Sequence, residues 1–128
     1  MKINKKELTI EGLQEEYYFL HITDTHAGRE NLTRDGISAA ERLKEYVEYA
    51  NEERLSGVLL TGDIIDNPAL ENLTLLKRQL EALQVPYLYI PGNHDWAFAD
   101  DYHTDVATSR DWPLLQPFCR GEETFQVK

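Results

Sequence analysis

Three short apolar stretches, each running into a polar turn that contains glycine, constrain this 128-residue chain more than anything else in it. Tyr17-Tyr18-Phe19-Leu20-His21-Ile22 is rich in aromatic and branched residues and reads as a strand. Gly57-Val58-Leu59-Leu60-Thr61 is continuously apolar, the pattern of a strand covered on both faces. Pro86-Tyr87-Leu88-Tyr89-Ile90 is the third, with proline at the first residue, where a missing N–H is tolerated. Between the first two, Ile37, Ala40, Leu43, Val47 and Ala50 recur at helical spacing, and Ser38 with Glu41 has the spacing of a capping box. Between the second and third, Leu70, Leu73, Leu76, Leu80 and Leu83 form a similar stripe. Asn67 before Pro68 reads there as the N-cap and first helical position. A βαβαβ order with short connections predicts an α/β fold with mainly parallel strands and right-handed crossovers.

Two further segments complete this reading. Leu8 and Ile10 suggest an added edge strand, with Gly12 in the turn that follows. Residues 96–128, with Pro113 and Pro117 and no sustained period, read as irregular cover ending in a short strand at Thr124-Phe125-Gln126-Val127.

Composition narrows the function. The net charge of −10 comes without clustered Lys and Arg, which argues against nucleic acid as a partner. No apolar run approaches the roughly 20 residues of a membrane span, and no signal-peptide core follows Met1, so the expectation is a cytoplasmic protein without a membrane partner. Cys119, the one cysteine, cannot form an intrachain disulfide and reads as an inert thiol.

In open α/β sheets ligands bind beyond the carboxyl ends of the strands. There the chain carries Thr23-Asp24-Thr25-His26, then Thr61-Gly62-Asp63-Ile64-Ile65-Asp66, then Pro91-Gly92-Asn93-His94-Asp95. Each strand thus delivers carboxylate, imidazole or amide groups to one sheet edge. Asp24 and His26 are two apart, so extended backbone would send both to one face. Oxygen and nitrogen donors without thiolate suit a first-row divalent ion of the Mn, Fe or Zn class. A single Asp after a strand is ordinarily a turn former, and a single His a surface or packing residue. Three such clusters at three consecutive strand ends make coincidence a poor account.

These residues resemble the DxH, GDxxD and GNH(D/E) motifs of the calcineurin-like metallophosphoesterases, in order and in spacing, over residues 17–95. The resemblance implies the amino-terminal half of an α/β sandwich that holds two divalent metals, a binuclear centre. It implies hydrolysis of a phosphomonoester or phosphodiester by a metal-bound hydroxide. Carried over by position, Asp24 and His26 bind the first metal, Asp63 bridges both, and Asn93 binds the second through its amide oxygen. His94 stabilises the phosphoryl group or protonates the leaving oxygen, and Asp66 orients His94.

The family's later motifs, a lone histidine and a GHxH pair, have no counterpart here; beyond His94 the chain has only His103. Residues 1–128 are therefore expected to form a single but incomplete domain: a fragment, a truncated product or a degenerate paralogue. Its second metal should be held weakly, and its uncovered half invites self-association. The alternative function is a non-catalytic interaction module that keeps the fold. Arg29, just past the first motif, reads as a solvated loop residue or a phosphate contact.

Overall fold

The structure, a computed structural model, describes residues 3–29, 36–98 and 110–119. The elements follow as β1 (Phe19–Ile22), α1 (Ala39–Glu52), β2 (Gly57–Leu60), α2 (Leu70–Ala82), β3 (Tyr87–Tyr89) and a single-turn α3 (Asn93–Trp96). The strands form one sheet in the order β1-β2-β3, and both pairings are parallel. This is the α/β, βαβαβ architecture that the alternating periods predict.

Register decides which side chains are buried. Ile22 pairs with Leu60, and Leu60 with Tyr89, so one face presents Leu20, Ile22, Val58, Leu60, Tyr87 and Tyr89. On this face the core joins the sheet residues to Leu43 and Ala50 of α1 and to Leu73, Leu76 and Leu80 of α2. Each fully buried leucine contributes about 1.5–3 kcal/mol relative to exposure. The opposite face is less covered: Phe19, His21 and Ile90 are exposed, and Leu59 and Leu88 are half-buried. His21 there bonds the Thr61 hydroxyl at 2.6 Å, a satisfied strand histidine.

Local signals set some boundaries and missed others. Ser38 caps α1, its hydroxyl accepting from the Glu41 N–H at 3.1 Å, as the capping-box spacing predicts. α2 begins two residues later than the Asn67–Pro68 signal predicts, at Leu70 with Ala69 at its N-cap. Asn67 turns the chain one step earlier: its side-chain oxygen accepts from Ala69 N–H, and Asn72 donates back to it, both at 3.1 Å. Asn67 is a turn former here rather than a helix cap. β1 starts at Phe19 and not at Tyr17, where the chain bonds Ser56 instead: Tyr18 N–H donates to the serine hydroxyl and Tyr18 C=O accepts from Ser56 N–H. The expected edge strand at Leu8 and Ile10 is not formed. These residues are 90% and 63% exposed, so they bury too little apolar area to hold a strand in place.

Two 3-10 turns, Trp112–Leu114 and Gln116–Phe118, bring Leu115 fully into the core. His103 and the Thr124–Val127 segment lie outside the described residues. Among the described residues, no helix is long and apolar enough to cross a membrane.

Candidate metal centre

The site is built by β1 and β2 continuing to exchange main-chain bonds after their regular strands end. Thr61 N–H donates to Ile22 C=O, Asp24 N–H to Gly62 C=O, His26 N–H to Asp63 C=O and Ala27 N–H to Ile64 C=O, at 2.7–3.0 Å. Asp66 N–H returns to Ala27 C=O at 3.0 Å. The first two motifs therefore run side by side as a distorted parallel pair. The distortion lies at the candidate ligands: Asp24, His26 and Asp63 have φ of 53°, 47° and 52°. Left-handed backbone costs non-glycine residues roughly 1–2 kcal/mol each, less for Asp and His than for branched residues. Strain of this kind gathers at functional sites. The extended geometry expected for Asp24 and His26 is thus absent, and left-handed turns bring them together instead.

Ligand-capable atoms of Asp24, His26 and Asp63 all lie within 4.8 Å of one another, and those of His26, Asp66 and His94 do likewise. His26 belongs to both groups. Its Nε2 is 4.0 Å from Asp24 Oδ1, its Nδ1 is 3.2 Å from Asp66 Oδ1, and its ring meets the His94 ring edge-on at 4.7 Å. Asp63 Oδ1 accepts the His94 main-chain N–H at 3.0 Å, joining the second motif to the third. Asn93 opens α3 with an exposed side chain.

Asp66 differs from its expected part. Its carboxylate meets His26 and Arg29, whose Nε and Nη2 both reach Oδ1, at 3.0 and 2.9 Å. What holds His94 is the Asp66 main-chain carbonyl, 2.7 Å from Nδ1. A carbonyl only accepts, so His94 carries a proton on Nδ1. Arg29 is accordingly an ion-pair partner within the site rather than a solvated loop residue.

The donor set fits a divalent cation. Asp24, Asp63 and Asp66 concentrate negative charge that one arginine only partly offsets, and no thiolate accompanies them. Asp24 is exposed, which leaves an entry path.

Asp95 has a role that the sequence reading did not assign. It is fully buried, and its two carboxylate oxygens accept from Ile65 N–H at 3.1 Å and Gly92 N–H at 3.0 Å, pinning the second loop to the third. Its position three residues after Gly92, the spacing of a cap at a helix start, was the available signal. Burial pushes its carboxyl above the ordinary range, against the two N–H donors that pull it down. Neighbouring Tyr89 is buried with its hydroxyl beside Asp95; burial, then the Asp95 charge, drives its phenol far up. Asp95→Ala orphans two buried donors and is expected to cost about 2–4 kcal/mol in a denaturant melt. Since the folded chain holds the Asp95 proton more tightly than the unfolded one, the loss should be larger near pH 4 than at pH 7. A variant as stable as the wild type would remove the pinning role.

The model of the family described as calcineurin-like phosphoesterase matches residues 17–126. Among curated relatives, a 3',5'-cyclic-nucleotide phosphodiesterase from Nostoc sp. is 36% identical over 83 residues, which is 62% of this chain and 31% of that protein. A DNA double-strand break repair protein, Mre11 of Saccharolobus solfataricus, is 31% identical over 84 residues, covering 59% and 22%. Among solved structures, a dimetal phosphatase from Danio rerio shares the fold at a TM-score of 0.50 and 22% identity, over 62% of this chain and 30% of that one. The chain spans about a third or less of the length of the curated relatives it matches. With the match taking in all three strand ends and both helices between them, the chain belongs to the calcineurin-like phosphoesterase family.

Proposed function

We propose that this chain carries the metal-binding core of a metal-dependent phosphoesterase that hydrolyses a phosphodiester. The convergence of two donor groups on the shared His26, at the carboxyl edge of a parallel sheet, is the observation that carries this reading. The family and the phosphodiesterase named among its relatives support the substrate class. Asp24, His26 and Asp63 would hold one ion, and Asp63 with Asn93 a second. Bound divalent ions supply Lewis acidity and charge neutralisation towards a phosphoryl group.

The chain's own residues do the rest. Asp63 is aimed by the His94 N–H, so ligand and proton donor move as one unit. His94, with Nδ1 held at the Asp66 carbonyl, would deliver a proton from Nε2 to a departing alkoxide. Among the described residues Asn93 and Asp63 offer the second ion few ligands, so turnover should be weak.

The test is Mn²⁺-dependent hydrolysis of bis(p-nitrophenyl) phosphate, followed with a Mn²⁺ titration. Turnover that disappears with chelator is expected; a chain that neither binds Mn²⁺ nor releases nitrophenolate would refute the proposal. His94→Ala should lower turnover of an alkyl diester by about 10²–10⁴-fold. The loss should be smaller for the nitrophenyl diester, whose leaving group needs no proton, and Mn²⁺ affinity should be kept. Equal losses on both diesters would remove the proton-donor role.

A further inference from the structure

Asp66 Oδ1 is the meeting point of three donors: Nδ1 of His26 at 3.2 Å, and Nε and Nη2 of Arg29 at 3.0 and 2.9 Å. We infer that Arg29 and Asp66 form a relay that sets the tautomer and aim of His26, making both of them positioning residues for metal capture.

Donor and acceptor identity decides the tautomer. A carboxylate accepts and cannot donate, so the His26 nitrogen facing it must carry the proton. That leaves the lone pair on Nε2, the nitrogen on the Asp24 side of the ring. A neutral imidazole ligates through its unprotonated nitrogen, and an outer carboxylate on the other nitrogen both orients the ring and raises its basicity. Asp66 has the geometry for this on His26, whereas Nδ1 of His94 is held by the Asp66 main-chain carbonyl, which no side-chain substitution at position 66 removes.

Arg29 completes the relay. Two N–H groups of one planar guanidinium converge on one oxygen, which restricts rotation of the Asp66 carboxyl in a way a single ammonium does not. The turn that delivers Arg29 is itself fixed: Arg29 N–H donates to His26 C=O at 3.1 Å across Gly28, whose φ is 100°. The relay thus starts and ends within four residues of one loop, and reaches the second motif only through Asp66.

This inference rests on the metal-binding reading above, but its first readout does not. In the metal-free chain at pH 8, long-range ¹H–¹⁵N correlation spectra should show His26, assigned by loss in His26→Gln, as the Nδ1–H tautomer. In Asp66→Ala it should move towards Nε2–H, while His94 keeps its Nδ1–H pattern. Asp66→Asn, whose amide oxygen still accepts, should retain much of the wild-type pattern. In Mn²⁺ titrations, Asp66→Ala should weaken binding by about 10–100-fold. Arg29→Lys, which keeps the charge on a half-exposed side chain, should weaken it a few-fold.

An Nε2–H tautomer in the wild type, or no change in Asp66→Ala, overturns the relay. Equal or tighter Mn²⁺ binding by Arg29→Lys also overturns it, since the guanidinium would then be masking Asp66 as a direct ligand. Should the tautomer switch as expected in a chain that binds no Mn²⁺, the metal reading fails and the relay stands.

Discussion

Asp63→Asn is expected to weaken Mn²⁺ binding by on the order of 10²-fold or more, a larger loss than a carboxylate-to-amide change at Asp24 or Asp66. Outer-shell partners of a metal ligand typically contribute about 10–100-fold, and a carboxylate serving two ions should exceed that. Asparagine is the informative choice because it tolerates the left-handed backbone that position 63 requires, at φ 52°. It removes charge without adding strain. Its amide oxygen can also keep the bond from His94 N–H, so the third loop should remain in place. Asp63→Ala removes charge, acceptor and conformational fit together, and should abolish Mn²⁺-dependent turnover. Equal affinity in calorimetric titrations of wild type and Asp63→Asn would show that Asp63 is not a bridge.

The second large effect is expected at two glycines that offer no side-chain donor to a metal. A Cβ on Gly92 would lie 2.3 Å from Asp63 Oδ1 and 2.6 Å from Asp63 N. One on Gly62 would lie 2.9 Å from Gly92 N, and Gly62 also sits at φ 98°. These contacts are with backbone and a bonded carboxylate, neither of which can swing aside. Forced overpacking costs about 1–3 kcal/mol. Left-handed backbone adds about 1–2 kcal/mol at Gly62. Gly62→Ala should therefore lose about 2–4 kcal/mol, a fall of roughly 10 °C or more in melting temperature for a domain of this size. Gly92→Ala should lose less stability but more metal, because the displaced atom is the Asp63 carboxylate itself. A Gly92→Ala chain with wild-type Mn²⁺ affinity would show that the loops separate without cost, and the close approach would then have no bearing on the site.

Both predictions come from the same arrangement. The second and third loops approach closely enough to exclude a methyl group, and Asp95 from within and Asp63 from the site side bridge them with hydrogen bonds. The candidate ligand cluster is therefore part of the packing between loops. Substitutions that open the packing and those that remove a ligand should converge on the same loss of metal.

The sequence by itself determined the layering and the chemistry. Helical stripes, apolar strand runs and the Ser38 cap are short-range properties, each legible within a few residues, and they place Asp24, His26, Asp63, Asn93 and His94 at one sheet edge. The family motifs were legible for the same reason, being short strings tied to strand ends. Only the tertiary structure decided how these groups pair. Asp66 turns its carboxylate to His26 and Arg29, which precede it by 40 and 37 residues, and gives His94 its carbonyl instead. Asp95 reaches Ile65, 30 residues away, and α2 waits until Leu70 because Asn67 spends its side chain on a turn. A carboxylate's partner depends on which loop lies within about 3 Å of it. That distance is set by strand register and by glycines that let two backbones touch, and neither is encoded in the spacing of any one motif.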